Sequence, residues 1–272
     1  MISYRELVNA FRAGGLSPAR PVVVHSALSS FGDEIRGGPE ALIGALLATA
    51  SGVLVPAFTY KTMLTPETGP EDNAIQYGEG KDRNRMAEFF SADMPADRMM
   101  GLFADLVRRR PEAKRSGHPI LSFAGIHLDH AVDAQTIEEP FAPLRLLSEQ
   151  DGQVLLIGVD QRVNTSIHLA EAQAGRKQFV RWALTADGVR ECPAWPGCSD
   201  GFNQAAALFE GFSTRFQIGE SQIQLIPLRG LLEAVTARLK EDPLALLCER
   251  EDCERCGAVR AAVGEQSFQQ GD

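Results

Sequence analysis

The spacing of apolar and polar positions changes along the chain, and each change marks a predicted element. Ser3 and Glu6 precede an apolar stripe that ends at Gly14-Gly15, which predicts a capped helix of about three turns. Residues 21–25, Pro-Val-Val-Val-His, are mostly apolar and β-branched, which predicts a buried strand. The chain therefore begins with a helix followed by a strand.

The same alternation continues through the first half. Proline in the first turn predicts a helix over residues 38–50, and a strand follows over residues 52–56. A helix near residues 97–110 leads to a strand over residues 120–125. Helices and strands thus alternate, as in α/β proteins.

The clearest strand signal lies over residues 153–159, which are uninterrupted and apolar, as in a sheet covered on both faces. A more antiparallel part follows around residues 179–184, with a turn at 186–188. We predict an α/β fold with a central mixed sheet flanked by helices.

We expect a single domain over residues 1–272, since this length can bury a substantial core. Residues 58–96 form a long segment rich in proline, glycine and acidic residues, which is typical of a lid or binding loop. The segment 241–272 contains three of the five cysteines.

Composition narrows the function classes. Hydrophobic residues make up 44% and charged residues 23%, which excludes disorder as the main state. No apolar run is long enough for a membrane span, and the N-terminus lacks the features of a signal peptide, so we expect a cytoplasmic protein. The net charge of −9 argues against nucleic acid or anionic membranes as partners and is compatible with a cationic small molecule.

The five cysteines are an odd number, which argues against a disulfide framework. Cys253 and Cys256 have metal-ligand spacing and could join Cys248 and Cys198 in a structural zinc site. The overall spacing is irregular and no second close pair exists. We therefore favour reduced, unligated thiols and assign no metal ligand.

Residues 164–171 follow the clearest strand, where ligands bind in open α/β sheets. Asn164 or Thr165 can cap a helix that carries His168 near its first turn, where the helix dipole favours a neutral, proton-accepting imidazole. Glu171 lies on the same helix face and could hold the other ring nitrogen. The alternative is a half-buried histidine on an amphipathic helix.

Residues 25–32 also place a histidine where a strand ends. His25 stands at the end of the first strand, and small hydroxyl residues follow it in sequence. The alternative is an ordinary serine-rich turn. Residues 108–115 concentrate five cations, which suggests a site for cofactor phosphates, although cations at a helix end would also account for the arginine triplet. The chain has neither a Walker motif nor a G-x-G-x-x-G motif.

Taken together and in order, these motifs resemble the aminoglycoside 3-N-acetyltransferase family of antibiotic-resistance enzymes. The resemblance covers residues from about 20 to about 215, and the combination of motifs is specific although each one alone is weak. The matching segments are residues 24–32, 37–39, 58–60, 115–123, 155–159 and 164–171.

The resemblance implies transfer of an acetyl group from acetyl-CoA to an amine, the 3-amino group of an aminoglycoside. It further implies a coenzyme A tunnel lined by residues from three motifs. These are His25, Ser26, Ser29, Ser30, Phe31, Gly32, Arg115, Ser116, His118, Ser122 and Thr165.

For the mechanism, we expect His168 to act as general base in direct transfer, with His25 supporting the thioester oxygen. Glu171 and Asp200 are both candidates for the acid that orients His168, and the sequence does not choose between them. A polycationic amine acceptor would meet Tyr60 and acidic residues of the long loop. Those acidic residues are Glu67, Asp72 and Glu79.

Three rival interpretations remain open. Cys192 or Cys198 could take the acetyl group covalently, with His168 as base. The acceptor could be a different amine metabolite, because residues 138–144 differ from the Gly-Ser-Pro loop of the resistance enzymes. The chain could also bind CoA without turnover. The sequence leaves the oligomeric state, including a homo-oligomer, open.

Overall fold

A computed structural model of the protein describes residues 1–269. The first half carries strands β1 to β5 and helices α1 to α5. Their bounds are α1 Tyr4–Gly14, β1 Val22–Ser26, α2 Gly38–Leu47, β2 Val53–Pro56, β3 Met63–Leu64, α3 Lys81–Asn84, α4 Gly101–Arg108, β4 Ala113–Arg115, β5 Phe123–Ile126 and α5 Asp129–Asp133.

The second half adds four helices and five strands within the described residues. Their bounds are α6 Ala142–Glu149, β6 Gln153–Ile157, α7 Ser166–Gln173, β7 Phe179–Thr185, β8 Gly188–Trp195, β9 Thr214–Ile218, β10 Ser221–Pro227, α8 Leu228–Glu241 and α9 Glu254–Gln269. Short 3₁₀ turns join several of these elements. Residues 270–272 of the predicted cysteine-containing segment lie outside the described residues.

The central sheet has seven strands in the order β4-β5-β2-β1-β6-β10-β9. β1 lies between β2 and β6 and runs parallel to both, whereas the outer strands pair antiparallel. A smaller sheet has the order β3-β7-β8, with the β7–β8 turn where the sequence predicts it. The predicted α/β fold with a central mixed sheet flanked by helices is confirmed.

Alternating side chains of the central strands supply two cores, one on each face of the sheet. Val22 and Val24 pack with apolar residues of α1, α2 and α4. Val23 packs with apolar residues of α6, α7 and α8 on the opposite face. Burial on both faces explains why the central positions of β1 and β6 are consecutive apolar residues, with polar residues only at a strand end.

The first helix forms because its ends are capped by local chemistry. The Ser3 hydroxyl accepts a hydrogen bond from the Glu6 amide at 3.3 Å, and the Glu6 carboxylate accepts one from the Ser3 amide at 2.7 Å. Gly15 ends the helix in a left-handed conformation with φ 106°. The predicted capping box and glycine stop are both confirmed.

Two predicted boundaries differ from the observed ones by three residues. α2 ends at Leu47 rather than at residue 50, because the chain tightens into i→i−3 hydrogen bonds at Thr49. The strand expected over residues 120–125 starts at Phe123, because His118 Nδ1 accepts hydrogen bonds from the amides of Ile120 and Leu121 and holds them in a turn.

The long segment 58–96 has little regular structure, but it is anchored to the smaller sheet. The Asn73 side chain exchanges hydrogen bonds with the backbone of Val180 at 2.7 and 3.0 Å. The Arg181 guanidinium donates to the carbonyl oxygens of Asn73 and Ala74. The segment therefore forms a fixed wall beside β7. Among the described helices, none is both long and apolar enough to cross a membrane.

Candidate active site

A cavity of about 500 Å³ lies at the carboxyl ends of the adjacent parallel strands β2, β1 and β6. This is the edge where ligands bind in open α/β sheets. The structure brings together here five of the residues singled out in the sequence. They are His25, Ser26, Tyr60, Thr165 and His168. We call this space the central cavity.

His168 lies in the first turn of α7, which starts at Ser166. The Asn164 side chain accepts a hydrogen bond from the Ser166 amide at 3.2 Å and so caps the helix. His168 Nδ1 lies 2.7 Å from Glu171 Oε2. The histidine is therefore held by a carboxylate three residues along its own helix.

A buried arginine completes this network. Arg176 Nη1 donates to the second carboxylate oxygen of Glu171 at 2.8 Å, and both side chains are almost fully buried. Arg176 Nη2 donates in turn to the carbonyl oxygens of Pro243 and Ala245, at 2.7 and 2.6 Å. Sequence reasoning missed Arg176, because its partners lie in a turn after α8 and no local motif marks that contact.

Asp200, the other candidate for the acid that orients His168, has a different partner. Asp200 forms an ion pair with Arg250 at 3.2 Å, and both side chains are about half exposed. Among the described residues, Glu171 is the acid that contacts His168.

The network determines which nitrogen of His168 can accept a proton. A carboxylate beside Nδ1 accepts the Nδ1 hydrogen, which leaves the lone pair on Nε2. Within the described part of the chain, Nε2 has no hydrogen-bond partner. The rings of Phe141 and Phe202 lie 6.2 and 4.8 Å from the imidazole and restrict its rotation. This arrangement can accept a proton from a molecule in the central cavity.

His25 and Ser26 leave polar atoms unpaired beside the same cavity. His25 Nε2 and Ser26 Oγ are buried and have no hydrogen-bond partner among the described residues. Burial lowers the pKa of His25 to about 4, so this imidazole is neutral at pH 7. An unpaired buried polar atom costs about 1–3 kcal/mol, and a bound ligand can offset that cost.

A second, more open cavity adjoins the central one at Val159 and Arg162 and is also lined by Ser30 and Gly158. The Ser30 hydroxyl bonds to the carbonyl oxygen of Ala27 and to Ser221 Oγ, both at 2.7 Å. We call this space the serine-loop cavity.

The other residues predicted from this loop lie outside both cavities. Ser29 is exposed, Phe31 is buried in the core beside α1 and α2, and Gly32 packs against Glu220. The Phe31 ring therefore stabilises the fold.

The predicted CoA segment 115–122 is bonded within the protein. Arg115 donates to the carbonyl oxygens of Ala57 and Met94 and to Ser122 Oγ. Ser116 Oγ accepts a hydrogen bond from the Phe123 amide. Together with the contacts of His118, these bonds hold the chain that places Leu121 in the cavity wall.

The basic cluster does not form the anion site that its charges suggest. Arg108 and Arg109 pair with Asp105, and Arg110 pairs with Glu40 and Glu112. Lys114 pairs with Asp133 at 2.6 Å. Both nearby and distant acidic residues therefore pair with the cluster, and the cation that lines both cavities is Arg162, itself paired with Asp160 at 2.7 Å.

A third cavity, of about 580 Å³, adjoins the central cavity at Tyr60 and Met63. Glu79 lines it, together with Glu254 from the start of α9. We call it the acidic-side cavity.

The cationic residues that line the acidic-side cavity already have partners within the protein. Lys61 pairs with Glu88 at 3.1 Å, and Arg181 is bonded to backbone carbonyl oxygens. Glu79 and Glu254 have no ion pair within the described part of the chain. Two carboxylates are therefore free to meet a cation.

The remaining acidic predictions lie outside the acidic-side cavity. Glu67 is exposed on the long loop, and Asp72 lines a shallow groove beside α9. α9 instead contributes Glu254 and Arg255 to the cavity walls. The sequence carries no signal for these two residues, because they reach the site only through the packing of α9.

The cysteines fall into two groups. Cys192 is buried in β8, and burial raises its pKa to about 12, so its thiol stays protonated. Neither Cys192 nor Cys198 lines the central cavity. The sulfur atoms of the other four come together despite their irregular spacing in sequence. These are Cys198, Cys248, Cys253 and Cys256.

Comparisons with known proteins all indicate the same family. The sequence profile of the family described as aminoglycoside 3-N-acetyltransferase matches residues 23–240. Aminoglycoside N(3)-acetyltransferase IV from Salmonella sp is 31% identical over 270 residues, which cover 95% of each chain. The aminoglycoside N(3')-acetyltransferase-like protein YokD from Bacillus subtilis (strain 168) is 32% identical over 65% of this chain and 67% of its own length.

Solved structures agree with these matches. Aminoglycoside acetyltransferase AAC(3)-IVa superimposes with a TM-score of 0.77 at 26% identity, covering 96% of this chain and 97% of its own. A mutant of that enzyme was crystallised with a gentamicin. AAC-IIIb, solved with CoASH, has a TM-score of 0.71 at 21% identity and covers 88% of this chain and 96% of its own.

Proposed function

The chain belongs to the aminoglycoside 3-N-acetyltransferase family, and from this premise we propose that it acetylates the 3-amino group of an aminoglycoside with acetyl-CoA, using His168 as general base. The observation that carries the proposal is the contact of 2.7 Å between His168 Nδ1 and Glu171 at the wall of the central cavity. A general base needs a free nitrogen and a fixed orientation, and this contact supplies both.

Acetyl-CoA would enter from the serine-loop cavity, with its thioester in the central cavity. Hydroxyl and glycine residues such as Ser30 and Gly158 suit the pantetheine chain, because they allow it to approach closely. Arg162 lines both spaces and pairs with Asp160 at 2.7 Å, so it would have to share its guanidinium to meet a phosphate. The complex of AAC-IIIb with CoASH accords with this choice of donor.

The aminoglycoside would occupy the acidic-side cavity and reach past Tyr60 into the central cavity. Glu79 and Glu254 are available to pair with ammonium groups, and the net charge of −9 attracts a polycation at long range. The complex of AAC(3)-IVa with a gentamicin accords with a polycationic acceptor.

The reaction would proceed in a ternary complex without an acyl-enzyme. The amine attacks the thioester carbonyl carbon as His168 Nε2 accepts its proton, and Glu171 stabilises the resulting imidazolium. His25, neutral and unpaired at Nε2, is placed to donate a hydrogen bond to the oxygen as negative charge develops. When the C–S bond breaks, the imidazolium returns its proton to the leaving CoA thiolate.

The test is the variant His168→Ala, assayed by release of CoA thiol with gentamicin as acceptor. Loss of a general base should lower kcat by about 10²–10⁴-fold. CoA affinity should change by less than about twofold, since CoA is held mainly by other residues. Undiminished turnover in this variant would refute the role of His168.

The same assay separates direct transfer from covalent catalysis. Cys192→Ser should retain activity, because the Cys192 thiol is buried and protonated. Initial rates should give intersecting lines, whereas parallel lines with an isolable acyl-enzyme would favour a thiol nucleophile. If CoA binds but no amine is acetylated, the chain is a binding protein and the proposal fails.

A further inference from the structure

Four buried cysteines from three chain segments meet near the start of α9. Cys198 follows β8, Cys248 follows α8, Cys253 immediately precedes α9 and Cys256 lies in its first turn. Their sulfur atoms all lie within 4.8 Å of one another, and the Cys248 and Cys256 sulfurs are 3.5 Å apart. We call this group the thiol cluster.

The spacing fits one tetrahedral metal ion. With Zn–S bonds of about 2.3 Å, the sulfurs of a tetrahedral site are about 3.8 Å apart. The Cys248–Cys256 distance of 3.5 Å is close to that value, and no sulfur pair in the thiol cluster is farther apart than 4.8 Å. An iron–sulfur cluster binds its cysteines to different irons and so needs sulfurs farther apart.

Several groups around the cluster would favour negative charge on sulfurs that bind a metal ion. The Asp200 amide donates a hydrogen bond to Cys198 Sγ at 3.4 Å. Cys253 and Cys256 stand at the N-terminal end of α9, where the helix dipole favours negative charge. Arg250 stands between Cys248 and Cys253 in the chain and brings a positive charge to the same loop. These groups offset the net charge of −2 that four thiolates and one Zn²⁺ would carry.

We propose that Cys198, Cys248, Cys253 and Cys256 bind one structural Zn²⁺ ion. All four ligands come from the protein, so the ion has no open position for substrate and takes no part in the acetyl transfer. Binding replaces four protons on the thiols with the ion, and no atom changes its oxidation state.

The ion would join segments that form the walls of the site. Cys198 stands between Gly197 and Ser199, and both neighbours line the central cavity. Cys253 precedes Glu254 and Arg255, which line the acidic-side and central cavities. Zinc would therefore fix the acceptor side of the site by linking the loop after β8 to the start of α9.

A second connection runs to the general base. The turn between α8 and Cys248 supplies the carbonyl oxygens that bind Arg176, and Arg176 binds Glu171. Glu171 in turn holds His168. The zinc site stands independently of the proposed function, whereas its effect on turnover rests on that function.

The first experiment is elemental analysis of the full chain, expressed and purified without a metal-affinity tag. We expect about one zinc per chain, and Co²⁺ exchanged into the site should give the thiolate charge-transfer absorption of a tetrahedral site. Less than about 0.1 zinc per chain together with no Co²⁺ spectrum would overturn the proposal, and so would stoichiometric iron.

Variants then assign the ligands. Cys256→Ser should lose most of the zinc, whereas Cys192→Ser, which changes the one cysteine outside the thiol cluster, should keep it. Zinc retained in full by Cys256→Ser, or lost from Cys192→Ser, would contradict the assignment. The metal content of the unaltered chain decides the question even if Cys256→Ser does not fold.

Metal removal tests the structural role. Chelation should lower the midpoint of thermal unfolding by about 10 °C or more, with recovery on adding back zinc. An unchanged midpoint in the metal-free chain would refute a structural ion. A chain that holds zinc but fails to acetylate any amine would sink the proposed function and leave the metal site intact.

Discussion

At the scale of single residues, the site depends on a histidine whose orientation is set by charge. Glu171 lies between Arg176 and His168, so each of its carboxylate oxygens has one cationic or N–H partner. The carboxylate keeps the hydrogen on Nδ1 and, in the proposed reaction, would stabilise the imidazolium formed when Nε2 takes a proton. Glu171 is thus a positioning residue for the proposed base.

The first prediction concerns this carboxylate. In Glu171→Gln, the side chain can turn an N–H toward His168 Nδ1, which would favour the tautomer whose Nε2 already carries a hydrogen. We expect kcat to fall by about 10²–10⁴-fold, with the KM for acetyl-CoA nearly unchanged. Steady-state kinetics on variants with a native unfolding midpoint provide the measurement.

The matched control is Asp200→Asn, which removes the other candidate acid. Its carboxylate pairs with Arg250 at the surface, so we expect kcat to stay within about twofold of the unaltered enzyme. If Asp200→Asn were the variant that lost activity, our assignment of Glu171 would be wrong.

At the scale of elements, the site is assembled by close approaches between loops. Gly158 follows β6 with φ 62°, and a Cβ there would collide with the Ser30 side chain. The absence of a side chain at Gly158 therefore lets the loop after β1 pack on the end of β6. This contact forms the floor of the serine-loop cavity.

The second prediction follows from this approach. Gly158→Ala should lower the free energy of unfolding by about 2–4 kcal/mol, from backbone strain plus the collision. Gly38→Ala is the control, because Gly38 has a similar φ of 65° but a Cβ there would meet nothing within 4 Å, so it should lose only about 1 kcal/mol. Urea unfolding of both variants measures the two losses in free energy of unfolding. Equal losses would contradict the prediction, because they would show that the collision with Ser30 costs nothing.

At the scale of the whole molecule, burial of polar groups makes the stability of the fold depend on pH. Burial lowers the pKa of both His25 and His118 to about 4. His118 Nδ1 also accepts two backbone hydrogen bonds, which a proton on that nitrogen would abolish. In the unfolded chain both histidines bind protons near pH 6.5.

The third prediction is therefore a loss of stability in acid. Above about pH 6.5 neither state binds these protons, and as the pH falls toward 4 the unfolded chain binds more of them than the folded one. Each histidine should remove about 2–3 kcal/mol from the free energy of unfolding between about pH 7.5 and pH 4.5.

The variant His118→Asn tests this directly, because an amide oxygen can accept the same backbone hydrogen bonds without titrating. The difference in unfolding free energy between the two pH values should shrink by about 2–3 kcal/mol. His130→Asn changes an exposed histidine and should leave that difference unaltered. A His118→Asn variant as acid-sensitive as the unaltered chain would contradict the prediction.

The sequence by itself determined the features that depend on near neighbours. The capping box at Ser3 and Glu6, the apolar strands β1, β2 and β6 and the helix that carries His168 follow from local spacing and from burial on both faces of a sheet. The order of the motifs also indicated the family, because a series of specific segments is informative even when each one is weak.

Only the tertiary structure decided which distant groups meet. It paired Arg176 with Glu171 and with the turn after α8, neutralised the basic cluster around Arg110, and gathered the four sulfurs of the thiol cluster. Periodicity encodes which face of an element is buried, whereas side-chain partners depend on how whole elements pack. Charge and coordination act over a few ångströms in space, and sequence spacing does not measure that distance.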